Sequence, residues 1–293
     1  MNALLEAVRR HTESHGNPAG VATTAIPGLT TVRATMPSEL QHAIPRPLLC
    51  LVLQGSKHVT IGQQGTLYEA GTSLLITADV PTVSQVTCAS LAAPYLALVL
   101  ELDAALVAAL ADEGAVPGPA STDLDVAGAA LRMMRLLDRP AAVPVLHAQL
   151  VRELHYWLLT GRHGAAVSQL GAQTPGARQV GRAIALIRTA FARTVPVDEL
   201  AAVAGMSASS LHHHFRQQTS LSPLQFQKRL RLIEARRLMR FQGASASHAA
   251  FAVGYESVPQ FTRDYGKLFG APPGRDARMA RGSSITLPDP THL

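Results

Sequence analysis

The sequence predicts an α+β protein, in which a β-rich N-terminal domain precedes an all-helical C-terminal domain. Three observations support this prediction. Short apolar runs separated by turn residues occupy residues 30–103, helical spacing of apolar residues begins after Asp103, and one helix-turn-helix pattern is written twice between Ala201 and Pro273. A series of strands followed by a series of helices is typical of α+β proteins, and 293 residues suggest two domains.

Residues 30–103 carry the β signal, after a short helix and a loop predicted for residues 1–29. The apolar run Leu48–Leu53 lies between Pro47 and Gly55 and has the length of a buried strand. Further strands are predicted at Thr31–Thr35, Lys57–Ile61, Thr66–Glu69, Thr72–Thr77, Val83–Cys88 and Tyr95–Leu102. This pattern favours a sandwich or small barrel, which is either a scaffold without a ligand or a jelly-roll with a small-molecule site at its mouth.

Residues 104–160 change to helical spacing, with helices predicted at Ala104–Asp112, Asp125–Leu137 and Val145–Leu159. The last helix has apolar side chains along one face, namely Leu146, Leu150, Leu154, Trp157 and Leu158. Such a face beside a β unit either covers that unit or forms a dimer interface. Residues 161–177 are rich in glycine and are predicted to be a linker.

Positive charge is concentrated in the C-terminal part of the chain. Residues 1–174 contain 10 Lys and Arg against 13 Asp and Glu, whereas residues 175–293 contain 16 against 7. A basic domain beside a slightly acidic one is typical of nucleic-acid-binding proteins, although basic surfaces also bind membranes and acidic proteins. The basic domain is predicted over residues 178–280, with a tail at residues 281–293.

The first copy of the repeated pattern, residues 197–217, is predicted as a helix, a tight turn and a second helix. Gly205 ends the first helix because glycine adopts a positive φ at little cost, and Ser207 is a suitable cap for the second. Leu211 and Phe215 are four residues apart and therefore share the face that packs against the first helix. The residues left facing outward are Ser209, His212, His213 and Arg216. In a helix-turn-helix motif this outer face enters the major groove of DNA.

The second copy, residues 245–268, follows the same scheme at an offset of 49 residues before the turn and 50 after it. Gly254 ends its first helix, and Phe261 and Tyr265 are the predicted core pair. The residues predicted on the outer face of its second helix are Val258, Thr262, Arg263 and Lys267, with Pro259 in the first turn. Two copies at nearly equal spacing in the basic half predict two helix-turn-helix motifs.

One helix, residues 223–240, is predicted to connect the two motifs. Phe226, Leu230 and Ile233 form its apolar stripe. The arginines on its other faces are predicted to be mostly solvated, with a few contacting phosphate: Arg229, Arg236, Arg237 and Arg240. Two recognition helices on one face of B-DNA lie roughly 34 Å apart, and a connecting helix of constant length suits that separation.

At these residues the C-terminal domain resembles the DNA-binding unit of the AraC-type transcriptional regulators. The resemblance extends from about Gly181 to Arg278. Its signature residues are Leu200-Ala201, Gly205-Met206-Ser207, Leu211, Phe215, Ser222-Pro223, Arg229-Leu230-Arg231, Ala235-Arg236, Gly254-Tyr255, Phe261-Thr262-Arg263, Phe269-Gly270 and Pro273. The resemblance implies two motifs joined by a long helix and sequence-specific binding of double-stranded DNA.

The β-rich region resembles the cupin-like N-terminal domain of one subgroup of the same family. The residues that carry this resemblance are Arg46-Pro47, Leu53–Lys57, Tyr68, Gly71, Leu75, Ile76, Asp79, Val80 and Pro81. It implies a domain that senses a small molecule or forms dimers.

For the first motif, the resemblance implies base contacts by Ser209, His212 and His213. His213 stands where the wider family often has arginine. A neutral imidazole makes a weaker contact with guanine than a bidentate guanidinium does. The first motif is therefore expected to be less base-specific, or sensitive to pH.

For the second motif, Arg263 matches the arginine that the family usually has. Val258 and Pro259 stand at positions that are often polar, which favours apolar contact with a thymine methyl group. Gly266 replaces a common lysine, and Lys267 is expected to supply the charge instead.

Rival functions follow from other residues. Cys50 and Cys88 have no metal-ligand spacing and are expected to be structural free thiols, with a redox or electrophile sensor as the alternative. His58 stands alone in its strand, so a metal-dependent cupin enzyme has little support. The chain is predicted to be neither an enzyme nor dependent on a cofactor. The other rival is a nucleoid-type or RNA-binding protein that uses the basic domain without sequence preference.

Double-stranded DNA is the predicted partner. The resemblance leaves RNA polymerase, a small-molecule effector and a second copy of the chain open as further partners. No membrane partner is predicted, because no apolar run approaches the roughly 20 residues that span a bilayer. The N-terminal charges also lack the order of a secretory signal, so the expected location is the cytoplasm.

Overall fold

The structure, a computed structural model, describes residues 1–115, 123–172 and 174–282. Helix α1 (Asn2–His15) precedes the strands β1 (Val21–Thr23), β2 (Leu29–Ala34), β3 (Gln41–Ala43), β4 (Leu48–Gln54), β5 (Ser56–Ile61), β6 (Gln64–Glu69), β7 (Ser73–Ile76), β8 (Thr82–Cys88) and β9 (Tyr95–Glu101). The helices that follow are α2 (Ala104–Asp112), α3 (Asp123–Leu136), α4 (Val143–Thr160), α5 (Gly164–Gly171), α6 (Pro175–Ala190), α7 (Val197–Ala204), α8 (Ala208–Thr219), α9 (Pro223–Phe241), α10 (Ala246–Ala252), α11 (Val258–Phe269) and α12 (Pro273–Gly282). This order of elements confirms the predicted α+β class.

The strands form two antiparallel sheets, ordered β1-β2-β9-β4-β7 and β3-β8-β5-β6. Their inner faces share one core, which includes Val32, Cys50 and Val86. The sequence does not predict β1 or β3. Each has only three residues, too few to show an alternating pattern, and each is held by its pairing with a longer neighbour, β2 or β8.

The five-stranded sheet is buried on both faces. Its outer face packs against α1 to α5 through a single cluster that includes Leu49, Leu51, Leu98, Leu100, Val107, Met133, Leu154 and Leu158. The strands β4 and β9 therefore read as continuous apolar runs. On α4, Leu154 and Leu158 cover the sheet, whereas Leu146 at the other end of the predicted apolar face is exposed.

The structure corrects the linker predicted at residues 161–177. Residues Gly164–Gly171 form α5, whose Val167 and Leu170 are buried in the same cluster as α4. Gly171 belongs to this packing, because a Cβ atom there would lie 2.6 Å from Cγ1 of Val107. Glycine in this segment allows two helices to approach closely, so its presence does not mark a flexible connection.

The C-terminal domain has two cores, and α9 contributes to both. Phe226, Leu230 and Ile233 of α9 are buried with α6, α7 and α8 in the first core. Leu232, Ala235 and Met239 lie on another side of α9 and are buried with α10, α11 and α12 in the second. Among the described residues, every helix is too short or too polar to span a bilayer. The predicted tail lies outside the described residues from residue 283 onward.

Residues 39–46, named here the docking segment, join the N-terminal domain to the first core of the C-terminal domain. Ile44 is fully buried within that core, although it belongs to the N-terminal half of the chain. Its carbonyl oxygen accepts a hydrogen bond of 2.8 Å from Nη2 of Arg188, and the same guanidinium pairs with Asp79 at 2.5 Å. The two domains are therefore connected by an apolar anchor and a buried ion pair.

The start of the docking segment contacts the second core. The carboxylate of Glu39 pairs with Arg240 at 2.7 Å, and the carbonyl oxygen of Leu40 accepts from Nη1 of Arg236 at 3.0 Å. The ring of His42 packs edge-on against Phe269, with 5.2 Å between ring centroids. One short segment thus contacts both helical cores.

Candidate nucleic-acid interface

The first motif consists of α7 and α8, which meet at a left-handed residue. Gly205 adopts φ 68° and ψ 40°, and the Ser207 hydroxyl accepts a hydrogen bond from the backbone N–H of Ser210 to cap α8. Leu211 and Phe215 are fully buried against α7. The opposite face of α8 is exposed to solvent and carries Ser209, His212, His213 and Arg216.

The second motif consists of α10 and α11 and repeats this construction. Ser257 caps α11, and Phe261 and Tyr265 are fully buried. The exposed residues of its recognition face are Pro259, Arg263 and Lys267, while Thr262 is half-buried. Val258 is also half-buried and packs against the second core, so only part of its surface is available for a contact.

Three consecutive histidines on α8 point in different directions, as the 100° rotation per helical residue requires. His212 and His213 are exposed, whereas His214 is half-buried. The His214 ring lies beside the start of α6, where a Cβ atom on Gly176 would be 3.6 Å from it. His214 therefore has a packing contact, and His212 and His213 remain on the outer face.

The turn of the second motif is attached to the first motif by Arg231 of α9. Its Nε donates to the carbonyl oxygen of Phe191 at 2.6 Å, and its Nη1 donates to the carbonyl oxygen of Gly254 at 2.9 Å. Gly254 has φ +83°, and a Cβ atom there would lie 1.7 Å from the carbonyl oxygen of Ala192. Only glycine fits this close contact. The two motifs therefore form one unit with a set relative orientation.

Gln227, one turn before Arg231 on α9, strengthens this attachment by donating to the carbonyl oxygens of Phe191 and Arg193. Sequence reasoning missed the role of both residues. Arg231 appears among the signature residues of the family resemblance, but no spacing in the sequence relates it to Gly254, 23 residues away.

The arginines near the end of α9 correct the prediction of solvated charges. Arg236 and Arg240 both donate to the carboxylate of Asp276 on α12, at 2.9 and 2.6 Å, and the Tyr265 hydroxyl donates to it at 2.6 Å. Burial alone would raise the pKa of Asp276, but these hydrogen bonds together outweigh burial and hold that pKa well below its usual range. These two arginines are structural, because their guanidinium groups are almost fully enclosed.

The two thiols are free, with Cys50 buried and Cys88 exposed. Burial raises the pKa of Cys50, which is the reverse of the low pKa expected of a reactive thiolate. Within residues 1–115, 123–172 and 174–282, no three His, Cys, Asp or Glu side chains are placed to hold a metal ion.

Two sequence families match consecutive parts of the chain. Residues 25–166 match the family described as "AraC-type transcriptional regulator N-terminus", and residues 200–279 match a family described as "Helix-turn-helix domain". The first match contains the two sheets and most of the helices that cover them. The second contains both helix-turn-helix motifs and the connecting helix.

Individual relatives are similar over the C-terminal part. The transcriptional activator RhaS of Escherichia fergusonii is 33% identical over 102 residues, which are 35% of this chain and 36% of that protein. The transcriptional regulator GbdR of Pseudomonas aeruginosa is 31% identical over 120 residues, 40% of this chain and 32% of that protein. The chain thus spans about a third of the length of these relatives.

A likeness over nearly the whole chain comes from a solved structure. The apo form of ToxT from Vibrio cholerae superposes with a TM-score of 0.54 at 8% identity, covering 88% of this chain and 100% of that one. At so low an identity this likeness shows the fold alone. It indicates that a sheet domain followed by paired helix-turn-helix motifs is an arrangement shared with ToxT.

Proposed function

Because the chain belongs to the AraC-type transcriptional regulators, we propose that it regulates transcription by binding specific sequences of double-stranded DNA. In this proposal α8 and α11 enter two successive segments of the major groove. The observation that carries it is the pair of exposed polar and basic helix faces on two motifs that Arg231 and Gly254 hold in one orientation. The 19 residues of α9 span roughly 28 Å at 1.5 Å each, which is comparable to one turn of B-DNA.

The two recognition faces are proposed to read DNA by different chemistry. On α11, Arg263 donates two hydrogen bonds to a guanine edge, Lys267 contacts phosphate, and Thr262 contacts a neighbouring group. The apolar leading edge of α11, Val258 and Pro259, contacts a thymine methyl group. On α8 the proposed contacts to bases and phosphates come from Ser209, His212, His213 and Arg216.

The N-terminal domain is proposed to modulate this binding through the docking segment, because that segment contacts both helical cores. A small-molecule effector, a second copy of the chain and RNA polymerase are the partners through which such modulation would act. The protein is proposed to work by binding rather than by catalysis, in the cytoplasm where the DNA lies. RhaS is named an activator, and the same role is one of the two outcomes that a promoter assay would separate for this chain.

Selection of bound duplexes from a random pool tests the proposal. We expect the full-length chain to enrich a site with two conserved blocks whose centres are about 10 base pairs apart. The matched selection with Arg263→Ala should lose sequence preference at one position in one block and keep the other block. Equal affinity for all duplexes at one salt concentration would instead support the rival function of a non-specific nucleic-acid binder.

A further inference from the structure

A cavity of about 270 Å³ lies between the two sheets of the N-terminal domain. Its walls are mostly apolar and include Val21, Val32, Leu48, Cys50, Val59, Leu74, Ile76 and Val99. One side is formed by the connecting helix α9, through Ile233, Arg236, Arg237, Arg240 and Phe241. The cavity therefore touches the DNA-binding domain as well as the sheets. Its volume is near the lower end of the roughly 300–1,000 Å³ typical of ligand pockets.

Strand register directs polar side chains into this cavity. Thr30 is two residues from Val32 on β2, and Lys57 is two residues from Val59 on β5, so each points to the same side of its sheet as its apolar neighbour. Gln41 of β3 is paired with Ser84 of β8, and both residues line the cavity. Polar groups from different strands thus converge in an otherwise apolar space.

Several of these polar atoms are buried without a partner. Among the described residues, Oγ1 of Thr30, Nε2 of Gln41 and Nδ1 of His42 form no hydrogen bond. Thr30 is 2% exposed and Gln41 is 9% exposed. Native proteins pair the great majority of buried polar atoms, because an unpaired one costs free energy. Three such atoms around one cavity indicate that the cavity is built to receive a polar group.

The cation in the cavity indicates the sign of that group. Within the described part of the chain, no carboxylate forms an ion pair with the ammonium group of Lys57. Burial lowers the pKa of Lys57, and the neighbouring Cys50 thiol opposes this only in part. A buried cation without a counter-charge is costly, whereas an anion placed beside it removes most of that cost.

We propose that this cavity binds a small carboxylate with an apolar body. The carboxylate lies at Lys57 and accepts further hydrogen bonds from Gln41 and Thr30, while the apolar body packs against the aliphatic walls. A neutral polyol would leave Lys57 uncompensated and would face walls without polar groups. A phosphate or sulfate carries more charge than one lysine and two neutral donors offset, and it has no apolar part for the walls to cover.

This ligand acts on both domains, since the cavity is lined by the docking segment and by α9. A bound carboxylate that pairs with Lys57 and contacts Gln41 stabilises the docked arrangement, in which Ile44 lies in the core of the first motif. That regulatory consequence rests on the proposed function. Binding of the carboxylate does not, because it is measured on the free protein without DNA.

Ligand binding is tested by titrating the full-length protein with a panel of sodium carboxylates, from butanoate to decanoate together with benzoate and phenylacetate. Each acid is compared with its neutral amide. We expect saturable binding by calorimetry and a higher Tm with at least one acid, and no comparable effect of its amide. If every acid binds no better than its amide, the proposal is wrong, whatever the result of the DNA selection.

Variants locate the headgroup. Lys57→Met should weaken binding of the best acid by roughly tenfold or more, because the charged partner is lost. The same variant should have a higher Tm than the wild type in the absence of ligand, since it removes an uncompensated buried charge. Gln41→Leu should weaken binding less than Lys57→Met does.

The matched control is His58→Asn, on the opposite face of β5, which should bind the acid as the wild type does. Two results would overturn the assignment of the headgroup to Lys57. One is wild-type affinity in Lys57→Met, and the other is an equal loss of affinity in His58→Asn and Lys57→Met.

Discussion

The two helix-turn-helix motifs have the same local construction but different support from the rest of the molecule. In each, a serine caps the second helix, a glycine with positive φ lies at the turn and two large side chains fill the core. The first core is completed by Ile44 from the N-terminal domain, whereas the second is bounded by the carboxylate of Asp276. A duplicated pattern therefore sets the shape of each motif, and residues outside the pattern determine how each is stabilised and linked to the sensing domain.

The recognition faces differ as well. The first presents two neutral imidazoles, and the second presents Arg263 and Lys267. The motif that is closest to the sensing domain through Ile44 thus has the weaker guanine reader, and the motif bounded by the ion cluster has the stronger one. This contrast suggests that the second motif selects the site while the first responds to the state of the N-terminal domain. The predictions below test that contrast.

The largest expected effect comes from Asp276→Asn. Removing this charge leaves Arg236 and Arg240 without their buried counter-ion, and breaking such a group costs about 3–5 kcal/mol of the free energy of unfolding. Chemical denaturation measures the loss. The control is Asp198→Asn, an exposed aspartate at the start of the first motif, which should cost less than about 1 kcal/mol. Similar losses in the two variants would show that the ion cluster does not stabilise the second motif.

A smaller effect is expected when the attachment between the motifs is broken by Arg231→Met. The carbonyl oxygens of Phe191 and Gly254 lose charged donors, and affinity for the selected two-block site should fall roughly 10- to 100-fold. Arg135→Met removes one exposed charge from the N-terminal domain and serves as the control.

The dependence on spacing separates positioning from simple loss of charge or stability. Insertion of two base pairs between the blocks should weaken binding strongly in the wild type and less in Arg231→Met, because the variant no longer holds the motifs in one orientation. A wild-type spacing dependence in the variant would contradict the positioning role of Arg231.

The two recognition faces can be compared directly with Arg263→Ala and His213→Ala. Arg263→Ala should cost about 1–3 kcal/mol on the preferred site and relax preference at one base pair. His213→Ala should cost less, since a neutral imidazole makes a single weaker contact. Competition binding with single-base variants of the site measures both. The contrast between the motifs fails if His213→Ala costs as much as Arg263→Ala.

The smallest effect concerns the pH dependence of docking. Burial, followed by the charges of Arg236 and Arg229 on α9, lowers the pKa of His42 to about 4, although Asp276 on α12 opposes this. The unfolded chain, with an ordinary histidine pKa near 6.5, takes up the proton first as pH falls. The contribution of His42 is therefore complete above about pH 6.5 and is lost as pH falls towards 4.

Proteolysis of the full-length chain measured from pH 7 to pH 5 tests this effect. The wild type should become more susceptible near the docking segment, and His42→Gln should show a weaker dependence because its side chain does not titrate. An identical pH profile for the two proteins would exclude His42 as the source.

Local features of the fold were accessible from sequence. The serine caps, the turn glycines and the core pairs depend on residues within about four positions of each other, where helical geometry relates spacing to contact. Features that depend on pairing between distant segments were not. β1 and β3 are too short to show a period, and α5 has glycines that suggest a linker until the close contact of Gly171 with Val107 is seen.

The sequence by itself determined the class of the molecule, the two motifs and the faces of α8 and α11 that point to solvent. The tertiary structure decided which charges remain available to a partner. It withdraws Arg236 and Arg240 into an ion cluster, assigns Arg231 to the turn of the second motif, and brings Thr30, Gln41 and Lys57 into one cavity. The physical reason is that a charge on a helix or a strand has the same local pattern whether it meets water or a carboxylate, and only the packing of distant segments distinguishes the two.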